Sequence, residues 1–174
     1  MSEGDSPFDI SFDRRTPPDD NRERSVCRHC GFIEYVNPKI VVGAICIWGS
    51  RVLLCRRAIE PRAGYWTMPA GYLEEGETTE EGACRETAEE ACADITIDAL
   101  LGIYHVIHLS QVQLFFKARL ENPNIAVGPE SREVGLFEWD EIPWGELAFQ
   151  SVTWALKRFD EVRERDDFAP FTFP

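Results

Sequence analysis

Three glutamates near the middle of the chain, Glu86, Glu89 and Glu90, have the spacing of neighbours on one side of a helix. At about 100° per residue, their side chains fall within roughly a third of the helix circumference. The same geometry places an apolar set on the opposite side, made of Cys84, Ala88, Ala91 and Ile95. The stretch therefore predicts a helix that packs with one side and gathers negative charge on the other.

This concentration of charge is the first indication of chemistry. Carboxylates three or four residues apart on a helix repel each other by about 0.2–0.5 kcal/mol, and Arg85 is the one basic residue near enough along the helix to offset them. A divalent cation would turn the repulsion into ligation, because Mg²⁺ prefers carboxylate and phosphate oxygens. The alternative is a solvated acidic helix in an acidic protein, which is what most runs of charge are.

The spacing favours the metal-binding interpretation. Gly71 is followed after five residues by Glu77, and Glu77 is followed after seven residues by the pair Arg85-Glu86. Two residues further on stands the pair Glu89-Glu90. This pattern resembles the Nudix box of the Nudix hydrolase family. Cys92 stands where that family usually has glycine, and Thr87 stands where an aliphatic residue is common. Both departures bear on the end and the packing of the helix rather than on its charges.

The resemblance implies an α/β fold, namely a Nudix-type α/β/α sandwich with a mixed β-sheet. It implies a pyrophosphohydrolase that cleaves the pyrophosphate bond of a nucleoside diphosphate linked to another moiety. The implied cofactor is Mg²⁺ or Mn²⁺, held by Glu86, Glu89, Glu90 and the backbone carbonyl of Gly71. The alternative is a binding module that senses a nucleotide without cleaving it, since some Nudix domains serve regulators.

The remaining catalytic roles follow from the same resemblance. Arg85 is expected to orient a neighbouring carboxylate, and Glu77 is the expected partner. The general base is either a box glutamate or an acid in a later loop, which here would be Glu130 or Glu133. Glu133 is therefore counted among the catalytic candidates.

Arginines near the box are candidates for binding phosphate, which suits their bidentate geometry. Arg56, Arg57 and Arg62 are the nearest in sequence. Strand alternation puts the first two on opposite faces, so at most one points to a site there. The alternative for each is an ordinary charge at a strand end. The run LLCRRAIEPRAGYWTMPAGYLEEGE and the later GPESREVGLFEWDEIPWGELAF resemble FAD and ADP-ribose pyrophosphatases, so the expected substrate is FAD, ADP-ribose or an NADH-like dinucleotide.

Cys27 and Cys30 form half of a zinc-ribbon ligand set. A structural zinc needs four ligands, and the chain has no second Cys-x₂-Cys pair. The segment resembles the N-terminal ribbon of NADH and FAD pyrophosphatases, which carry two such pairs. We therefore predict a remnant knuckle that binds no zinc, although His29 is a conceivable third ligand.

Composition limits the partners. The net charge is −13 over 174 residues, which argues against a surface for nucleic acid or for anionic membranes. No apolar run approaches the ~18 residues of a membrane span, and the polar N-terminus does not read as a signal peptide. The expectation is a cytoplasmic enzyme acting on a small molecule. Family members are commonly homodimers, so the resemblance implies one.

The order of elements predicts four segments. They are an arm over 1–26, partly disordered or docking, a knuckle over 27–38, the Nudix domain over 39–165 and a tail over 166–174. Alternation of Phe8, Ile10 and Phe12 indicates a short strand in the arm, and the arm with its knuckle is a candidate subunit contact. In the domain we predict a hairpin of strands 39–48 and 51–57 and further strands at 95–107, 111–120 and 130–139. One helix is predicted to follow the N-cap candidates Thr78 and Thr79 and to run through Ala91, and a second to span about 146–163.

Overall fold

The computed structural model describes residues 11–165 and 167–173. The chain divides into two compact units, one ending at Asn37 and the other beginning at Pro38. Phe8 and Ile10, which belong to the predicted strand of the arm, lie outside the described residues. None of the described helices is long and apolar enough to cross a membrane.

The first unit contains an antiparallel sheet of three strands, β1 (Phe12–Arg15), β2 (Arg24–Cys27) and β3 (Ile33–Glu34). Asp20 holds the connection between β1 and β2, because its carboxylate accepts hydrogen bonds from Arg24 Nε at 2.9 Å and from the Asn21 N–H at 2.7 Å. Much of the described part of the predicted arm is thus a β-hairpin.

The second unit holds the remaining elements. In chain order they are β4 (Lys39–Trp48), β5 (Arg51–Arg57), β6 (Trp66–Thr67), β7 (Ala70–Tyr72), α1 (Thr79–Ala91), β8 (Ile95–Val106), β9 (Gln111–Leu120), β10 (Ser131–Phe137), α2 (Gln150–Val162) and β11 (Phe171–Phe173).

One mixed sheet runs through this unit in the order β10-β5-β4-β9-β8-β11, with β6 attached to β5 and β7 to β4. The pairs β4–β9 and β8–β11 are parallel, and the other pairs are antiparallel. Alternate residues of β4 serve opposite faces of the sheet. Val42 and Ala44 pack in the cluster that includes Ala83 of α1, whereas Ile45 packs in the cluster that includes Leu156 of α2. The helices therefore cover the two faces, and the predicted α/β/α sandwich is confirmed.

Some predicted boundaries were wrong. Helix α2 begins at Gln150 rather than 146, because residues 144–146 form a separate 3₁₀ turn. The β4–β5 hairpin pairs only at its tip, through Ile47 with Val52 and Trp48 with Arg51. Further along, β4 pairs with β7 and β5 pairs with β6 instead. The segment predicted as a tail contributes β11, which adds to the edge of β8.

Helix α1 ends at Ala91 as predicted, and Thr78 is the one of the two cap candidates that precedes it. Thr78 is its N-cap: the Thr78 hydroxyl accepts the Glu81 N–H at 3.2 Å, and the Glu81 carboxylate accepts the Thr78 N–H at 2.7 Å. This reciprocal arrangement satisfies two backbone donors at the helix start. At the other end Cys92 adopts a left-handed conformation, with φ 49° and ψ 40°. Glycine is the residue that best tolerates that conformation, which gives the physical reason for glycine at this position.

The predicted division of α1 into an apolar face and an acidic face was wrong. Its buried residues are Gly82, Ala83, Glu86, Thr87, Glu90 and Ala91, whereas Ala88 is exposed. Two of the three glutamates therefore lie on the packed side. Gly82 and Ala83 are small enough to bring the helix close to the sheet, and the Thr87 hydroxyl is satisfied by the Ala83 carbonyl at 2.8 Å. Periodicity assigns carboxylates to solvent and could not foresee two of them buried together.

Candidate active site

Arg85 is the centre of a hydrogen-bond network between α1 and the segment that precedes it. Its Nε and Nη2 donate to the two Glu77 oxygens at 3.0 and 2.7 Å, a bidentate pair. Nη2 also donates to the Tyr72 carbonyl at 3.0 Å, and Nη1 donates to Glu86 Oε1 at 2.7 Å. The predicted contact between Arg85 and Glu77 is confirmed. It ties the 71–77 loop to the helix.

Glu77 is an ionised structural partner in this geometry. Its hydrogen bonds from Arg85, and then the one from the Glu74 N–H at 2.7 Å, lower the pKa of Glu77 to about 2. Its carboxylate oxygens are therefore already used by donors. The pKa of Arg85 is raised in turn, chiefly by Glu77.

Gly71 lies directly against the Glu86 carboxylate. A Cβ atom at position 71 would overlap that carboxylate. Gly71 is held at this point because β7 pairs with β4, where Gly71 is opposite Val42. The absence of a side chain thus leaves room for a carboxylate beside the Gly71 backbone, as expected if the two share a ligand.

Glu90 carries the most unusual electrostatics of the site. It is 5% exposed, and its Oε2 is buried with no hydrogen-bond partner among the described residues. Burial, followed by the charge of Glu86, raises the pKa of Glu90 to about 8, while Arg57 and the Ala70 N–H act in the opposite direction. Burial also raises the pKa of Glu86. Two carboxylates that share a low-dielectric site without a full set of donors are what a bound cation would stabilise.

Glu86, Glu89 and Glu90 do not converge on one point in this structure. Within residues 11–165 and 167–173, no group of three or more His, Cys, Asp or Glu side chains is placed to hold a metal ion. Glu86 is turned to Arg85. Glu89 is 59% exposed and only 3.5 Å from Arg85 Nη1. The donor chemistry fits a divalent cation, and Glu86 and Glu89 would rotate to reach it.

The 122–130 loop packs on the end of α1. The Ala126 N–H donates to the Ala91 carbonyl at 2.9 Å, and the Gly128 N–H donates to the Glu90 carbonyl at 3.1 Å. These bonds satisfy carbonyls that a helix end leaves without partners. The loop carries Glu130 to the site, where its charge contributes to the raised pKa of both Glu86 and Glu90.

Glu133 lies elsewhere. It is opposite Arg56 across the β5–β10 pair, and its carboxylate forms an ion pair with Arg56 Nη1 at 3.3 Å. Of the two later acids considered from the sequence, Glu130 is the one that the structure brings to Glu86 and Glu90.

The three arginines have different positions. Arg56 Nε donates to the Gly64 carbonyl at 2.8 Å, and Arg57 Nε donates to the Pro61 carbonyl at 2.9 Å. Both therefore hold the 58–65 loop, a role that the sequence did not suggest. The positive charge of Arg57 also acts against the raised pKa of Glu90, so among these three arginines it is the one whose charge acts on that carboxylate. The Arg62 guanidinium lies over the Tyr65 ring, 5.2 Å from its centre.

Comparison with known proteins agrees with this geometry. The family model for the NUDIX domain matches residues 37–157. The chain belongs to the Nudix hydrolase family. A second model, for the Nudix N-terminal zinc ribbon, matches residues 11–36. Both the family and the enzyme class that the sequence resembled are thereby confirmed.

Relatives of this Nudix hydrolase include an ADP-ribose pyrophosphatase of Methanocaldococcus jannaschii, 29% identical over 66% of this chain and 69% of that protein. The NAD-capped RNA hydrolase NudC of Haemophilus influenzae is 38% identical, but the match spans only 37% of this chain and 25% of NudC. A solved NUDIX hydrolase from Nitrosomonas europaea is 42% identical, covers 97% of this chain and 96% of its own, and superposes with a TM-score of 0.90.

The zinc-ribbon match raises the question of zinc. Cys27 is buried and Cys30 is exposed, and N–H groups of Cys30 and His29 lower the pKa of the Cys27 thiol. A tetrahedral site needs four ligands, whereas the described residues supply this one pair and no cluster of three. Zinc does not fit this described ligand set, and a metal-free knuckle stays a prediction.

Proposed function

We propose that this Nudix hydrolase cleaves the pyrophosphate bond of a nucleoside diphosphate linked to another moiety, with Mg²⁺ or Mn²⁺ as its cofactor. The observation that carries the proposal is the buried Glu90 carboxylate, whose Oε2 lacks a partner in the described structure beside a second buried carboxylate, Glu86. The raised pKa keeps Glu90 largely protonated at neutral pH in the absence of metal, so a cation is what would hold the pair in its ionised form. A diphosphate substrate would add more negative charge.

Glu86, Glu89, Glu90 and the Gly71 carbonyl are the groups that would hold the metal. A bound divalent cation polarises phosphoryl oxygens and makes a bound water more acidic. Arg85 keeps the 71–77 loop on the helix through Glu77, which fixes Gly71 relative to Glu86. The proposed site is therefore built on a strand glycine and a helix that these hydrogen bonds hold together.

Glu130 is the proposed general base. Its charge contributes to the raised pKa of both Glu86 and Glu90, which supports this assignment, whereas Glu133 is paired with Arg56. A base must come within hydrogen-bond reach of the water that it deprotonates. Arg57, whose charge acts on Glu90, is the proposed phosphate contact.

ADP-ribose, FAD and NADH-like dinucleotides form the proposed substrate class. The name of the Methanocaldococcus jannaschii relative supports ADP-ribose first. The net charge of −13 favours a small substrate brought in with its cations over nucleic acid. We further infer a homodimer in the cytoplasm, from the resemblance to dimeric family members and from the sequence expectations; the mass of the protein in solution tests the first point.

A substrate panel tests the function. We would measure release of AMP from ADP-ribose, FAD and NADH with saturating Mg²⁺, together with the second product (ribose 5-phosphate, FMN or reduced nicotinamide mononucleotide). Glu90→Gln and a sample in excess EDTA serve as controls. The expected result is turnover of at least one compound by the wild type, and a fall of orders of magnitude in both controls. Binding without turnover across the panel would favour a nucleotide-sensing module instead. Full turnover by Glu90→Gln would remove Glu90 from the metal site.

A further inference from the structure

The contact between Gly128 and the end of α1 is closer than any side chain allows. A Cβ at position 128 would overlap the Glu89 carbonyl oxygen and crowd the carbonyl carbon of Glu90. The atoms in the way are backbone atoms of a packed helix, so they cannot rotate aside. The obstacle is only steric, because the φ of Gly128 lies outside the positive range where side chains are strained.

Gly128 is also a short distance along the chain from Glu130. The Gly128 N–H donates to the Glu90 carbonyl at 3.1 Å, and its carbonyl accepts the Ser131 N–H at 3.1 Å. The Glu130 carbonyl in turn accepts the Ala58 N–H at 2.7 Å. The segment that carries Glu130 is thus fixed on one side to the helix of Glu86 and Glu90 and on the other to the end of β5.

We propose that Gly128 is a positioning residue: by letting the loop backbone touch the backbone of Glu89 and Glu90, it sets the distance between Glu130 and the carboxylates of α1. This inference rests on the proposed function, in which Glu130 is the general base. The distance between the loop backbone and α1 is fixed from both sides. Steric contact prevents the loop from coming closer, and the hydrogen bond from the Gly128 N–H to the Glu90 carbonyl keeps it from moving away.

The magnitude follows from the size of a methyl group. In Gly128→Ala the loop has to recede by on the order of 1 Å for carbon and oxygen to reach a normal contact distance. A misplacement of that size at a reacting group costs on the order of 10²-fold in rate. The effect belongs in kcat rather than in KM, because Arg57 and the metal ligands do not lie on the loop.

The chain contains a matched control. Gly145 also has a φ outside the positive range, and a Cβ there would meet no atom within 4 Å. Gly145→Ala makes the same chemical change without a collision. We would compare the two variants by amide hydrogen exchange and by steady-state kinetics on the substrate that the panel identifies.

Hydrogen exchange tests the contact without relying on turnover. The Gly128→Ala protein should lose protection at the amides of residues 126 and 128, while Gly145→Ala keeps wild-type protection there. Unchanged protection at both amides in Gly128→Ala would overturn the proposed contact. If the wild type turned over nothing in the panel, the proposed function would fall, and the exchange result would still decide the contact.

Kinetics tests the positioning role through a double-mutant cycle with Glu130→Gln. The expected result is a fall in kcat of about 10- to 100-fold for Gly128→Ala, with KM within about twofold of the wild type. The same glycine substitution should cost less than about twofold in the Glu130→Gln background, because the group that it displaces is already gone. If the two losses multiply, Gly128 does not act through Glu130, and the proposal is wrong.

Discussion

Arg85 donates two hydrogen bonds to Glu77, from Nε to one carboxylate oxygen at 3.0 Å and from Nη2 to the other at 2.7 Å. The two residues lie eight positions apart, one in the loop before α1 and one within the helix. Their pairing gives the loop of Gly71 a fixed place on the helix of Glu86. Lysine could supply the charge but not the fork.

We therefore expect Arg85→Lys to lower kcat by about 10- to 100-fold, the range for loss of geometric positioning. The measurement is steady-state hydrolysis at saturating Mg²⁺. Glu77→Gln should have a similar effect, whereas Glu75→Gln, an exposed change in the same loop, should leave the rate within about twofold. Wild-type rates in Arg85→Lys would show that charge alone suffices.

Glu90 predicts how the stability of the metal-free protein depends on pH. Its pKa is about 8 in the folded protein, raised from 4.5 chiefly by burial, so the folded state binds the proton more tightly than the unfolded state does. The stability contributed by protonation is complete below about pH 4.5 and is lost as the pH rises to about 8. In EDTA, the free energy of unfolding from urea titrations should fall over that window, by up to about 1.4 kcal/mol per pH unit.

The variant Glu90→Gln isolates the contribution of Glu90 to this pH dependence, since the amide fills the same space without a charge. Its unfolding free energy should fall less steeply between pH 5 and pH 8 than that of the wild type, with the residual slope due to Glu86. Parallel curves for the two proteins would mean that Glu90 does not carry the raised pKa.

Divalent cations should stabilise the protein most where Glu90 is ionised. At a concentration about 100 times the dissociation constant, a ligand adds about 2.7 kcal/mol, which for a chain of this size corresponds to a rise in Tm of roughly 5–10 °C. Thermal unfolding at pH 8 with and without Mg²⁺ measures this rise in Tm. The shift should shrink in Glu90→Gln and remain in Glu138→Gln, which removes a carboxylate at the start of a separate 3₁₀ turn. Equal shifts in all three proteins would place the cation elsewhere.

Cys92 predicts a stabilising substitution. It is exposed and holds a left-handed conformation at φ 49°, which costs a residue with a side chain roughly 1 kcal/mol relative to glycine. Cys92→Gly should therefore raise the free energy of unfolding by up to about 1 kcal/mol in urea titrations. The same change at Cys84, inside the helix, should lower it by a similar amount. A loss of stability in Cys92→Gly would mean that the entropy gained by the unfolded glycine chain outweighs the relief.

The sequence predicted the parts of the site that depend on local signals. The cap at Thr78 and the end of α1 at Ala91 follow from signals along one segment, and the resemblance to the Nudix box implied the Arg85–Glu77 contact. The burial of Glu86 and Glu90 could not be predicted in this way. Periodicity assigns residues to a helix face by their polarity, and it does not show that the small residues of α1 bring these carboxylates against the sheet.

The choice between Glu130 and Glu133 also needed the structure. A β-bulge interrupts the pairing between Ser131 and Glu133, so alternation cannot be counted across the start of β10. The contact of Gly128 with Glu89 joins residues far apart in sequence. The Gly-Pro pair at 128 and 129 signals a turn, but it does not indicate what the turn packs against.

Both ends of α1 are pinned, by Thr78 and Glu81 at the start and by the 122–130 loop at the finish. The hydrogen bonds at the two ends satisfy terminal backbone groups that a helix otherwise leaves without partners. Among the three candidate ligand glutamates, Glu89 has the most room to change rotamer, because its side chain is 59% exposed whereas Glu86 and Glu90 are buried. We therefore expect a cation to be met by a rotamer change of Glu89, with the backbone of α1 in place.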